Sequence, residues 1–373
     1  MSSQALDYVT IQGFKSIASV EKLKLRPINV LIGPNGSGKS NFIGVFDFLH
    51  AIREGRLRNY VTAGGGAEKI LHFGSKTTAE IYLYLSFANG ENQYELKLKP
   101  TGDDRLFPSE ERAHYYAQGD YPRPFQVSAL SAQQQGLEAG ISDPNQGRVA
   151  KWVRDHLGSW RLYHVHDTSS SSPMRKTAKV NDNDFLRPDG SNLAAFLYYL
   201  RERHEGSYSL IQRTVQRVAP FFDDFQLKPL KLSPDDIKLE WRHKRSDQYF
   251  DASSLSDGTL RFIALATLFL QPKEYRPSVI LVDEPELGLH PYAIEMLASL
   301  IRQAAVDTQV IVSTQSSLLL DHFEPEDVLV ANRAEGATQL TRLDARDLTV
   351  WRKEYSLGQL WEKNEFGGRP VRD

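Results

Sequence analysis

The chain of 373 residues has no cysteine. Disulfides, thiolate zinc sites and cysteine nucleophiles are therefore excluded, and a reducing compartment fits. An excess of one charge is missing too. Lys and Arg number 45 against 47 Asp and Glu, giving a formal net charge of −2 and a pI near 6.6. No global field draws the chain onto nucleic acid or an anionic membrane, so any such contact has to come from a local patch. Long hydrophobic runs are also lacking. The longest, residues 262–270, falls well short of the ~20 apolar residues that span a bilayer, and residues 1–13 lack the charged-then-apolar order of a signal peptide. The expectation is a cytoplasmic protein without a membrane partner.

What is present belongs to a folded chain: 40% hydrophobic and 25% charged residues, ordinary values for globular proteins. The length allows two domains or one domain with a large insertion. Apolar patterning predicts strands over residues 8–11, 20–25 and 28–32, then a helix over 39–50 whose Phe42, Val45, Phe46 and Leu49 recur at helical spacing. Period-two alternation over 81–87 and 94–98, around Asn89-Gly90, predicts a β-hairpin. Helices are expected over 148–157, 192–204 and 207–218. The last third alternates helix 258–270, strand 279–282, helix 292–305, strand 310–313 and a short helix near Leu318, an order that argues for parallel strands in an α/β sheet.

Two runs carry the chemistry. Gly33-Pro34-Asn35-Gly36-Ser37-Gly38-Lys39-Ser40 fits G-x-x-x-x-G-K-[ST] and stands between an apolar strand and a helix, where a phosphate-binding loop belongs. Backbone N–H groups at the helix start and the helix dipole attract phosphate, Lys39 would reach the β- and γ-phosphates, and the Ser40 hydroxyl would ligate Mg²⁺. Residues 279–284, Val-Ile-Leu-Val-Asp-Glu, form a buried strand that delivers two carboxylates at its C-terminal end, the edge where open α/β sheets bind ligands. Asp283 would hold Mg²⁺ through its water shell, and Glu284 would orient and deprotonate the attacking water.

Between these runs lies Leu255-Ser256-Asp257-Gly258-Thr259, by itself a helix N-cap signal. It resembles the signature loop of ABC ATPases, LSGGQ in transporters, in the LSDGT form of RecF- and OLD-like ATPases. Asp283-Glu284-Pro285-Glu286 with Gly288-Leu289-His290-Pro291 resembles the Walker B and D-loop run of that superfamily, and Ser313-Thr314-Gln315-Ser316 falls at its switch position. Residues 11–17, including Lys15, resemble the N-terminal strand segment of RecF and SMC heads. Residues 355–361 are similar to the tail of compact OLD-like ATPases without coiled coil or TOPRIM domain. The resemblance implies an α/β ABC-ATPase head, a P-loop NTPase with a mixed β-sheet and flanking helices, carrying an inserted α/β lid or arm. The expected division is 1–100 and 251–373 for the head and 101–250 for the insertion. ATP and Mg²⁺ are the implied cofactors. Lys15 and Asn41 join the nucleotide-binding set, and Gln315 joins Lys39 and Glu284 in the catalytic one. Two heads of this kind sandwich ATP, so Ser256 and Gly258 of one subunit would complete the site of the other in a homodimer or higher even oligomer.

Two positions depart from the family pattern. Gln315 stands where a histidine is usual and cannot carry a proton at neutral pH. Asp257 replaces a glycine and adds negative charge near the triphosphate unless its side chain turns back to cap its own helix. With neither heptads nor the acidic ligands of a TOPRIM domain, a nuclease or other effector is expected on a separate chain, in phage defence or DNA repair. DNA stays open as a partner, and so do a non-hydrolysing nucleotide-gated scaffold and a transporter ATPase subunit as rival readings.

Weaker signals have plain readings beside them. His164-Val165-His166 would put two imidazoles on one strand face, compatible with a metal, although without a third ligand two satisfied polar residues are the simpler account. Arg53, Arg56, Arg58, Lys69 and Lys76, with Arg242 to Arg245 later, read either as a DNA footprint or as a solvated face. Gly64-Gly65-Gly66 reads as a mobile loop. The serine run 168–173 reads as flexible by composition, with Arg175 and Lys176 after it either exposed or reaching a phosphate or partner.

Overall fold

Alternating burial along the N-terminal residues pairs β1 (Leu6–Phe14) with β2 (Ile17–Lys24) in antiparallel fashion. They belong to a computed structural model that describes residues 5–116, 125–129, 138–145, 147–349 and 351–367. Part of the expected 101–250 insertion therefore lies outside the described residues. By its internal packing the chain divides into two units, Met1–Trp160 with Glu324–Asp373, and Arg161–Phe323.

In the first unit β3 (Ile28–Ile32) runs into α1 (Lys39–Arg53) through the glycine-rich loop. The helix buries Phe42, Val45, Phe46 and Leu49 as the spacing predicts, and Phe48 and Ile52 as well. Phe48 stacks on Phe14 of β1 at 5.2 Å, and Phe46 meets Trp160 at 5.3 Å. Each such side chain contributes ~1.5–3 kcal/mol on burial, so α1 is anchored over its whole length. The expected hairpin forms as β4 (Ile81–Phe87) and β5 (Asn92–Pro100), and continues into β6 (Leu106–Tyr115) and β7 (Phe125–Ala129). The resulting antiparallel sheet has the order β2-β1-β4-β5-β6-β7. Sequence patterning did not reveal the strand Val328–Ala334, which lies parallel to β3 and forms a hairpin with Ala337–Arg342. That hairpin brings Thr338 to the loop that follows β3.

The second unit holds three parallel strands in the order Gln309–Thr314, Val279–Asp283, Arg161–Tyr163. Helices Leu193–Arg203, Glu205–Val218, Asp257–Leu270 and Pro291–Ala304 accompany them. Residues 260–270 of the third helix are all buried, which accounts for an apolar run that shows no polar face. Two small antiparallel sheets use the segments Phe222–Gln226, Glu240–His243 and Tyr249–Asp251, and Pro229–Leu230, Ser233–Ile237 and Ala178–Lys179. The packing boundary near 160 differs from the sequence division at 100 and 250. The cause is the Arg161–Tyr163 strand, which pairs with Val279–Asp283 and ties the following residues to the later segment. Among the described residues no helix is long and apolar enough to cross a membrane.

Candidate functional site

The phosphate-loop half is built in the first unit. Gly38 is the N-cap of α1 at φ 101°, and a Cβ there would lie 1.9 Å from Thr338 Oγ1. Only glycine suits both the backbone angle and the space. Lys39 is buried, its ammonium donating to the carbonyls of Gly33 (2.7 Å) and Pro34 (3.2 Å). Asn35, Gly36 and Ser40 are exposed around it. The Ser37 hydroxyl is 1% exposed and has no hydrogen-bond partner among the described residues. An unsatisfied buried hydroxyl costs ~1–3 kcal/mol. Together with the unpaired N–H groups that begin any helix, it fits a loop shaped to receive an anion, and so fits the triphosphate the motif implies.

A chain of side-chain hydrogen bonds sets the loop. Thr338 donates its hydroxyl to the Ser37 carbonyl at 2.9 Å, so in the 2.7 Å contact between Ser16 Oγ and Thr338 Oγ1 the serine is the donor. Ser16 in turn accepts from Asn41 Nδ2 at 2.6 Å, and the Thr338 N–H donates to the Ser16 carbonyl at 2.7 Å. Lys15 takes a left-handed φ of 47°, and its ammonium lies over the rings of Phe14 and Tyr60. Burial lowers the pKa of that ammonium against the opposing charge of Asp47. Burial also pushes the Tyr60 phenol up to about 12. Lys15, Ser16 and Asn41 line a cavity of about 630 Å³ together with Lys69, Phe73 and Arg333. Phe73 is 60% exposed and held at φ 55°, a conformation that costs ~1–3 kcal/mol for a non-glycine residue. Within this unit Asn41 is linked to the loop through Ser16 and Thr338, and Lys15 lines the cavity beside them. Thr338 and Phe73 are additions that no local sequence signal announced.

The second unit gathers the carboxylates. Asp283 ends its strand and Glu284 follows at φ 38°. The neighbouring parallel strand brings three further groups: Ser313 donates to Asp283, Gln315 donates its amide to Glu284, and the Ser313 carbonyl accepts from the Glu284 N–H at 2.9 Å. Glu286 accepts from Thr314 Oγ1 at 2.5 Å and from the Gln315 N–H. Burial nonetheless holds its carboxyl above the usual range, the negative charge of Glu284 adding to the effect. Its second oxygen has no partner among the described residues. The Arg161–Tyr163 strand is registered with Tyr163 opposite Val282, so residues 164–166 leave the sheet at the same edge as Asp283. Burial lowers the His166 pKa while Asp283 and Glu284 oppose the shift. The His164 and His166 rings stand 6.4 Å apart, and among the described residues no group of three or more His, Cys, Asp and Glu is placed to hold a metal.

Ser256 caps the helix Asp257–Leu270, its hydroxyl accepting from Thr259 N, and both Ser256 and Asp257 are exposed. A Cβ on Gly258 would lie 2.4 Å from the Gly288 carbonyl, so the start of this helix packs directly on the 288–291 run. Asp257 does not cap its own helix. Ser256 already fills that place, and the Asp257 carboxylate pairs with Arg175 at 2.9 Å. Arg175 is accordingly buried rather than exposed or free to reach a phosphate. The serine run before it is a closed turn: Ser172 is fully buried, donates to the Asp167 carbonyl and accepts from Met174 N. Two of the basic residues are committed internally, Arg53 to Glu54 and the Arg154 carbonyl, Arg242 to Asp223. Arg56, Arg58, Lys69 and Lys76 are exposed.

Residues 28–321 match the family model described as AAA domain, putative AbiEii toxin, Type IV TA system. Among curated proteins, Urease accessory protein 2 of Cryptococcus neoformans var. grubii is 26% identical over 254 residues, 58% of this chain but only 20% of that protein. The chain thus spans about a fifth of the relative's length. Among solved structures, an Smc head bound to the C-winged helix domain of ScpA superposes with a TM-score of 0.57 at 14% identity, covering 92% of this chain and 99% of that one. An Smc head with an extended coiled coil bound to the C-terminal domain of ScpA, derived from Pyrococcus furiosus, gives 0.52 at 14% identity, covering 94% and 99%. At such identities the likeness shows the fold, that of an ABC-ATPase head. The chain belongs to the family described as AAA domain, putative AbiEii toxin, Type IV TA system.

Proposed function

We propose that the chain hydrolyses ATP to ADP and phosphate and works as a nucleotide-driven dimerising switch in a DNA-related process. The observation that carries this most directly is the buried, unpartnered Ser37 hydroxyl inside a loop whose backbone only glycine permits at Gly38. In this reading residues 33–41 and Lys15 bind the nucleotide, with Lys39 giving up its carbonyl contacts for phosphate oxygens. Ser40 and Asp283 hold Mg²⁺, which when bound neutralises charge on the β- and γ-phosphates. Glu284 accepts a proton from the attacking water, and Gln315 fixes the orientation of that carboxylate through its amide. Ser256 and Gly258 complete the site of a second copy. The exposure of Ser256 supports that role, as do the exposed apolar side chains of Leu287 and Tyr292 beside the 288–291 run.

The family description names a putative toxin of a toxin–antitoxin system, which favours defence over repair. The ScpA-bound Smc heads support a separate protein docked on the ATPase, here a nuclease or other effector. One contact favours a slower machine or a non-hydrolysing scaffold: the Gln315 amide donates to Glu284 and so occupies a carboxylate oxygen that the attacking water would use. The test is ATP turnover of the wild type and of Glu284→Gln, each with and without double-stranded DNA, alongside sedimentation. Turnover lost in the variant, with ATP-dependent dimers retained, supports the switch. Negligible turnover in all samples with intact ATP binding selects the scaffold, and monomers in Glu284→Gln with saturating ATP refute the sandwich.

A further inference from the structure

Arg175 occupies an unusual place for a residue that follows a serine-rich stretch. Its guanidinium donates Nε to the Thr168 carbonyl at 2.9 Å, one terminal nitrogen to the Ala252 carbonyl, and the other to the Leu255 carbonyl at 3.2 Å and to the Asp257 carboxylate at 2.9 Å. The Arg175 side chain is 7% exposed and that of Asp257 65%. A planar, permanently charged fork can reach two backbone segments and a carboxylate together, which an ammonium cannot do. The turn Ala252–Ser254 is itself closed, Asp251 accepting from Ser253 N and Ser254 donating back to the Asp251 carbonyl. Arg175 therefore fixes the backbone that leads straight into Ser256.

We infer that Arg175 is a positioning residue that sets the Ser256–Gly258 loop offered to a second copy's nucleotide and balances the carboxylate of Asp257, which stands where the resembling loops have glycine. The inference rests on the dimeric reading above. With the positive charge in place, the exposed carboxylate does not face a triphosphate unbalanced. The same guanidinium grips Thr168, and the preceding carbonyls of Val165 and His166 accept from Arg261 of the Asp257–Leu270 helix at 3.0 and 2.8 Å. Residues 165–168 are thus clasped by two arginines just beyond the strand that flanks Asp283. The clasp ties the loop that serves the partner copy to the sheet edge carrying this copy's carboxylates.

The experiment measures ATP affinity and ATP-dependent dimerisation separately, in the Glu284→Gln background. Arg175→Ala should leave ATP affinity within about twofold and weaken dimerisation at least about tenfold, a loss that corresponds to ~1.4 kcal/mol. Adding Asp257→Gly should recover most of the dimerisation, because no carboxylate then needs balancing. Arg175→Lys, which keeps the charge without the fork, should fall between. With Glu284 intact in both proteins, mixing Lys39→Ala with Arg175→Ala should restore turnover, since the first supplies an intact loop to the intact phosphate site of the second. Dimerisation unchanged in Arg175→Ala overturns the inference. So does an equal loss of affinity and dimerisation, or misfolding of both Arg175 variants, since either makes the residue merely structural. If Glu284→Gln alone stays monomeric with ATP, the dimeric reading has failed and the inference falls with it.

Discussion

Replacing Thr338 by valine removes one hydroxyl and leaves the shape of the side chain unchanged. Thr338 is 1% exposed, and its hydroxyl is the middle link between Ser16 and the Ser37 carbonyl. Valine leaves that carbonyl without its donor and Ser16 without its acceptor, a cost of ~1–3 kcal/mol for groups this buried. The backbone bond from Thr338 N to the Ser16 carbonyl survives, as does that from Ser37 N to the Pro34 carbonyl, so the loop does not collapse. It samples other shapes instead, and affinity falls in proportion to the fraction still competent. If the whole cost reaches binding, ATP affinity drops ~5–150-fold, and we expect about tenfold because the backbone bonds retain part of the geometry. Titration calorimetry with ATP reads this directly. Since Thr338 touches no reacting group, KM should rise while kcat changes little, and Thr338→Ser should recover affinity to within about threefold, the hydroxyl being restored. Wild-type affinity in Thr338→Val, or no rescue by serine, would refute the proposed link between the hairpin and the phosphate loop.

We propose that the exposed Phe73 ring meets the nucleotide base; Phe73→Ala should then weaken ATP about fivefold, as loss of one aromatic face does, and leave inorganic tripolyphosphate binding unchanged, and equal effects on both ligands would refute the contact. Gly258→Ala puts a Cβ 2.4 Å from the Gly288 carbonyl. It should impair ATP-dependent dimerisation with ATP affinity intact, and normal dimers by sedimentation would show that the loop yields without consequence. His156 stacks on Trp152 at 3.5 Å and donates from Nδ1 to the Trp152 carbonyl, and burial lowers its pKa from 6.5. The unfolded chain then binds the proton more readily, so this contribution is whole above pH 6.5 and is lost as pH falls from there toward the lowered folded value. His156→Phe should flatten that slope in urea titrations below pH 6.5. The difference between variant and wild type separates it from Glu111, whose raised pKa gives the opposite slope.

The strand, glycine loop and helix around Lys39 were legible because each is announced locally, by an apolar run, by glycines and by helical spacing. The carboxylate pair at 283 and 284 was legible for the same reason. Partners far apart in sequence were not. Thr338 lies 322 residues from Ser16, and no spacing rule links a threonine in a late hairpin to an N-terminal turn. Arg175 was misread because composition describes side chains, whereas the turn before it is closed by backbone carbonyls at Asp167 and Thr168. Asp257 could have served as a cap as well as Ser256 does. Sequence could not decide which residue took that role, and the decision left the aspartate for Arg175. The missing histidine at Gln315 was visible, but not that its amide would meet Glu284.

These cases share a physical pattern. In the proposed reading, the residues that recur as motifs are the ones whose atoms meet phosphate, metal or water, and chemistry fixes their identity. The residues that aim them only have to supply a donor or an acceptor at the right point: Thr338 to the Ser37 carbonyl, Arg261 to the His166 carbonyl, Ser313 to Asp283. A requirement of that kind can be met by different side chains from different parts of the chain. Departures from the motif pattern are tolerated where an aiming residue can adapt to them. Asp257 stands beside a buried guanidinium and Gln315 stands on the carboxylate it faces, so each substitution comes with its own partner. Activity in this chain should therefore depend on the pairs Asp257 with Arg175 and Gln315 with Glu284 as units, and the two changes within a pair should be non-additive.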